Sequence, residues 1–176
     1  AIPEVKPLLN IATAVGYSGN VWVLGGNDSG TTNIIYSYDL VNWSDSGTAL
    51  CTGIQNIQWI NDRFIACTSG TNEFIYSFDG ITWVAFSPVI GFTSYGENVA
   101  TNGKITVVVG SSSGTELKYS YDLVNWSDGV GNGVTGLGTN IFTVWWDGEK
   151  FYAGGQGTGE ISYSYDGVNW VLLPDT

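Results

Sequence analysis

The chain has 176 residues, 14% of them aromatic and 25 of them glycine, with sixteen acids against five bases for a net charge of −11. A surface this acidic repels phosphates and anionic headgroups, so nucleic acid and membrane surfaces are excluded as partners. No histidine is present and Arg63 is the single arginine, which excludes imidazole catalysis, imidazole metal sites and arginine clamps.

The chain is one domain, 1–176, long enough to bury roughly 70% of its unfolded surface, and it divides into four copies, about 10–50, 51–93, 94–138 and 139–176. Each copy carries one signature: Tyr36-Ser37-Tyr38-Asp39 with Trp43, Tyr76-Ser77-Phe78-Asp79 with Trp83, Tyr119-Ser120-Tyr121-Asp122 with Trp126, and Tyr163-Ser164-Tyr165-Asp166 with Trp170. The aspartates lie 40, 43 and 44 positions apart, a spacing that marks blade-like repeats.

In the first copy, Ser18-Gly19-Asn20 joins two strands. The second copy reads as strands 57–60, 63–67, 73–78 and 82–86, with Asn61-Asp62 as the first turn. Asn102-Gly103 makes the corresponding turn in the third copy. The fourth reads as strands 141–146, 150–153, 160–165 and 169–173 around Asp147-Gly148. This pattern predicts an all-β fold, a four-bladed β-propeller of four-stranded antiparallel blades. Ala1–Leu9 reads as a lead-in rather than a closing strand. Copies one and three share Asp-Leu-Val-Asn-Trp-Ser-Asp and a Ser-Gly-Thr loop, whereas two and four share Asp-Gly and Trp-Val. The alternation indicates a two-blade unit duplicated to four.

Period-2 alternation in each third strand predicts that both rings of a copy, such as Tyr36 and Tyr38, fill the wedge between blades as core. Asp39, Asp79, Asp122 and Asp166 are expected to cap the turn by accepting N–H groups two and three residues on. Trp43, Trp83, Trp126 and Trp170 are expected to close the wedge. Because Leu40 and Leu123 stand where Gly80 and Gly167 do, a left-handed residue is not required after the aspartate. Cys67 reads as a small core hydrophobe, and a bridge to Cys51 is an alternative.

Ser164 to Trp170, with its three relatives, resembles the Asp-box (BNR-type) repeat of β-propellers. In that family the motif, Ser-x-Asp-x-Gly-x-Thr-Trp, sits between the third and fourth strands of a blade. Here the glycine, where present, follows Asp directly and Trp comes one residue early. The family's sialidases imply six blades, an arginine triad and a tyrosine–glutamate pair, which one arginine and four blades cannot supply. The resemblance therefore implies a non-sialidase propeller of the kind found in carbohydrate-binding modules, assembly factors and viral surface proteins.

Functionally, a non-catalytic recognition module for glycans or a surface receptor is expected. The alternative is a structural or assembly protein, such as a virion surface, fibre head or matrix component. The variable polar loops of one face supply the ligand-binding candidates Asn27, Asp28, Ser29 and Asp128, and Trp145, Trp146, Trp22 and Tyr95 are the candidate rings. The carboxylate pairs Asp147 with Glu149 and Asp28 with Glu160 are weighed as a hydrolase and set aside for lack of a specific spacing. No catalytic residue, metal or cofactor is expected. The chain is expected to be an extracellular or virion-associated monomer, with a two-chain, eight-bladed ring as the alternative.

Overall fold

The computed structural model describes residues 8–27, 33–111 and 116–173. Strands make up 50% of the described residues and helix 3%. The strands fall into four antiparallel units of like design. The first is β1 (Ile11–Tyr17), β2 (Trp22–Asn27), β3 (Ile34–Ser37) and β4 (Ser44–Asp45). The second is β5 (Gly53–Ile60), β6 (Arg63–Ser69), β7 (Phe74–Ser77) and β8 (Val84–Ala85), and the third is β9 (Tyr95–Thr101), β10 (Thr106–Ser111), β11 (Leu117–Ser120) and β12 (Ser127–Asp128). A short helix, α1 (Asn132–Gly136), leads into the fourth unit: β13 (Ile141–Trp146), β14 (Phe151–Gly155), β15 (Ile161–Ser164) and β16 (Val171–Leu172). Within every unit the strands pair in chain order, and one further pair, Ser69 with Tyr95, joins the second and third sheets.

The repeats coincide in register. Trp22, Phe64, Thr106 and Phe151 each lie opposite the serine of their copy's signature. Every first strand has its extra, unpaired residue at one address: Thr13, Gln55, Glu97 and Phe142. Such bulges bend and twist a strand. Thr13 also donates its hydroxyl to the Ile54 carbonyl, which ties the first unit to the second.

The turn after each third strand rests on two side chains. Asp39 accepts the N–H groups of Val41 (2.9 Å) and Asn42 (2.8 Å), as expected. The buried Ser37 accepts the N–H of Leu40 at 2.9 Å and donates to Asp39 at 3.1 Å. The arrangement recurs at Ser77–Asp79, Ser120–Asp122 and Ser164–Asp166. All four residues after the aspartate are left-handed, with φ of 63° at Leu40, 76° at Gly80, 61° at Leu123 and 75° at Gly167. The expectation that this conformation is dispensable there is corrected: the serine's hold on the next-but-two N–H winds the backbone that way whatever the residue.

Three apolar cores hold the units together, one per junction. Val23, Ile34, Ile57 and Phe64 meet between the first and second units. Ile65, Phe74, Val99 and Leu123 meet between the second and third. Val107, Leu117, Val144 and Trp170 meet between the third and fourth. A closed ring of four needs a fourth core between the last unit and the first, and the described residues form none. Each unit packs its preceding side through the first strand, the residue after the aspartate and the tryptophan. Thus Trp83 and Trp170 are buried and donate their indole N–H to Gly80 and Gly167 carbonyls at 3.2 Å. Trp126 is half-buried against the second core. Trp43, in the first unit, is also half-buried.

The expectation that both third-strand rings are core holds for only one of each pair. Tyr36, Tyr76, Tyr119 and Tyr163 are half-buried, and the first three lie against the cores; Tyr38, Phe78, Tyr121 and Tyr165 stand in solvent, edge-on to their partners at 5.7–6.1 Å. The strand ends at the serine, so the last ring has already left the sheet. Both cysteines are free, Cys67 fully buried and Cys51 partly so.

Candidate functional site

A cleft of about 470 Å³ lies on the side of the molecule that carries the links between units. Its walls are Glu116, at the start of β11, and the segment from Gly129 to Thr139 that joins the third unit to the fourth. The second wall is held in place by the fourth unit's turn. Val130 donates to the Val168 carbonyl at 2.9 Å and accepts from the Trp170 N–H at 2.8 Å, and the Gly133 N–H reaches the Trp170 carbonyl at 3.1 Å. Gly131 has φ of 109°, and a Cβ there would strike the Trp170 carbonyl oxygen at 2.3 Å, so only glycine brings this backbone so close.

Chemically the cleft offers glycine backbone at Gly129, Gly131 and Gly138, the hydroxyls of Thr135 and Thr139, small apolar surface at Val130 and Val134, and one carboxyl. Glu116 is 5% exposed, and its Oε1 has no hydrogen-bonding partner among the described residues. Burial pushes its carboxyl above the usual range, nearby Lys118 counters this in part, and Asp128 adds to it. A carboxyl so placed can donate or accept a hydrogen bond, and leaving it unsatisfied costs roughly 1–3 kcal/mol.

The candidates read from sequence are scattered. Asp128 adjoins this cleft at Gly129, but its carboxylate is tied to Lys118 by an ion pair. Trp145 and Trp146 line a separate, smaller groove of about 160 Å³ with Gln58, Ala100 and Thr101. Within it Trp145 is exposed, whereas Trp146 packs on the third core with its ring 4.6 Å from Phe151. Asn27 is exposed at the end of β2, and Asp28 and Ser29 lie outside the described residues. Trp22 stacks on Tyr17 at 4.2 Å, and Tyr95 is exposed. Asp147 is committed to its hairpin, accepting from Glu149 and Lys150 N–H groups at 2.7 and 2.8 Å. No group of three or more His, Cys, Asp or Glu side chains forms a metal-binding cluster among the described residues.

Sequence reasoning passed over Glu116 and the glycines opposite. The available signal was an acid at the head of a strand with no base beside it in a polar loop, followed by the glycine-rich run 129–138. Two of the exposed third-strand rings are also less open than they look. Arg63 sits 4.7 Å above Phe78, and Lys150 4.9 Å above Tyr165.

No family model matches the chain, and no curated protein does. Among solved structures, the chain is similar to the computationally designed Ika4 protein, with a TM-score of 0.62 and 18% identity over 92% of this chain and 98% of that one. It is also similar to the computationally designed Ika8 protein, with a TM-score of 0.61 and 18% identity; there 89% of this chain corresponds to only 46% of the other. The likeness is one of fold: the chain spans all of one designed protein and about half the length of the other.

Proposed function

We propose that the protein is a non-catalytic recognition module, a propeller-type array of Asp-box-like blades that receives a neutral, hydroxyl-rich ligand of the glycan class in the cleft between its third and fourth units. The reading is carried by the buried Glu116 carboxyl, which lines a cleft the size of one or two sugar rings and whose Oε1 has no partner among the described residues. Threonine hydroxyls and bare glycine backbone around it suit sugar hydroxyls, which both donate and accept. A net charge of −11 disfavours anionic sugars.

Titration calorimetry against a panel of neutral mono- and disaccharides tests the reading. Saturable binding is expected, and Glu116→Ala should weaken it about tenfold, the value of one hydrogen bond to a carboxyl, about 1.4 kcal/mol. No saturable heat across the panel sinks it. Turnover of chromogenic glycosides overturns the non-catalytic part.

A further inference from the structure

The register that equates the four units also exposes what the two end units lack. Val15 is 55% exposed, yet its equivalents Ile57, Val99 and Val144 are 0–3% exposed in the junction with the unit before. Leu40 is 53% exposed and Leu123 4%, although both sit in the same heptapeptide with the same backbone angle. At the other end, Ile161 is 47% exposed, whereas Ile34, Phe74 and Leu117 are 0–2% exposed against the unit that follows. Trp145 stands open where Gly16 and Ala100 are buried by their successors and Gln58 is half-buried.

The first unit therefore presents an unfilled front face and the fourth an unfilled back face, and each is made of positions that the internal junctions bury wholly or in part. Terminal units of repeat arrays that end in solvent carry polar outer surfaces instead. The faces are complementary to each other, not to themselves, because every internal junction is front to back. Within one chain they do not meet, since the described residues form no core between the fourth unit and the first.

We infer that the front face of one copy packs on the back face of a second, and that two copies close into a ring of eight units. A front-to-back contact closes a ring only if the rotation per unit divides a full turn, and otherwise it grows a filament. Eight blades lie within the range that closes. The arc of this chain superimposes on about half of a solved chain twice its length, so its curvature is compatible with being one half of a larger body. This inference is independent of the ligand cleft, whose residues belong to neither face.

Light scattering and sedimentation at 0.15 M salt test it, with the unaltered chain, a front-blocked variant (Val15→Glu with Leu40→Glu) and a back-blocked one (Trp145→Glu with Ile161→Glu). All four residues are exposed in the single copy, so circular dichroism and melting of dilute samples should be unchanged. The unaltered chain is expected at twice the 18.8 kDa of one copy. Each variant alone should run as one copy, because two unlike faces are needed and only one remains. Mixed in equal amounts, they should form a dimer through their intact faces, at least tenfold weaker than the ring because one contact replaces two. An unaltered chain that stays a single copy at millimolar concentration overturns the inference. So does a mass above two copies, which would mean a filament, or a blocked variant that still pairs with itself, which would mean like faces meeting.

Discussion

Leu40 and Leu123 are the most informative pair of residues in the chain, because sequence and backbone are the same and only the surroundings differ. Both hold φ near +60°, a conformation that costs an L-residue roughly 1–2 kcal/mol relative to glycine. Leu123 recovers this by filling the core between the second and third units, whereas Leu40 is bare on the first. Leu40→Gly should therefore stabilise the chain by about 0.5–1 kcal/mol once the looser unfolded state of glycine is counted. Leu123→Gly should destabilise it by about 1–3 kcal/mol, a core deletion of about 2–5 kcal/mol less the strain released. Urea denaturation in the back-blocked background, where association does not enter, measures both. A loss of stability in Leu40→Gly would contradict the strain assigned to its left-handed backbone. The motif announced where the aspartate would bond. It could not announce the left-handed turn, because leucine in two copies argues against the conformation unless the serine's bond to the backbone is seen.

The third-to-fourth strand turn is the element on which each unit most depends. β4, β8, β12 and β16 are two residues long and pair through two residues each, so the turn rather than the ladder holds the last strand. The serine is its anchor: Ser164 accepts the buried N–H of Gly167 at 2.9 Å and donates to Asp166 at 3.0 Å. Ser164→Ala leaves that N–H buried and unpaired, at a cost of about 1–3 kcal/mol. In the first unit the matching N–H of Leu40 is only partly buried, so water can replace the hydroxyl and Ser37→Ala should cost under about 1 kcal/mol. Hydrogen exchange at Gly167 and the midpoints of denaturant unfolding separate the two variants, and equal costs would refute the role given to burial. Strand order, hairpin turns and the fourfold period were legible because alternation and turn residues are local signals. The exposure of Tyr38, Phe78, Tyr121 and Tyr165 was not, because alternation continues one residue past the strand's end and says nothing of where pairing stops.

For the whole molecule, the sequence carried the number of units but not their closure. A period gives copies, whereas closure depends on the rotation between them, which is set by bulges and by packing at each junction. The cleft was hidden for a related reason: it forms where the link to the fourth unit folds beside the head of a strand of the third, and its one acid is marked by burial, not by a motif. Burial of acids and capping by acids also act together to set the response to pH. The Asn42 N–H holds Asp39 well below the usual carboxylate range, and the Asn125 N–H does the same for Asp122. In Asp166 burial opposes the shift, but bonds from Asn169 and Val168 outweigh it and bring the carboxyl to about 2. These groups are less acidic when unfolded, near 3.8, so their contribution is complete above that pH and is lost as pH falls toward the folded values. Glu73, Glu97 and Glu116 are pushed the other way by burial, from 4.5 upward. The folded state binds their protons more tightly than the unfolded state, so they favour folding fully below 4.5 and progressively less as pH rises through their raised values. The melting temperature should therefore climb from pH 8 toward about 4.5 and fall below about 3.8. Relief of self-repulsion in a chain of charge −11 adds to the climb but not through particular residues. Replacing Glu73, Glu97 and Glu116 together by Gln should flatten the climb while leaving the acid-side fall in place. A melting profile with its maximum at neutral pH, or a triple variant with an unchanged slope, would contradict the upward push that partial or full burial gives these three carboxyls.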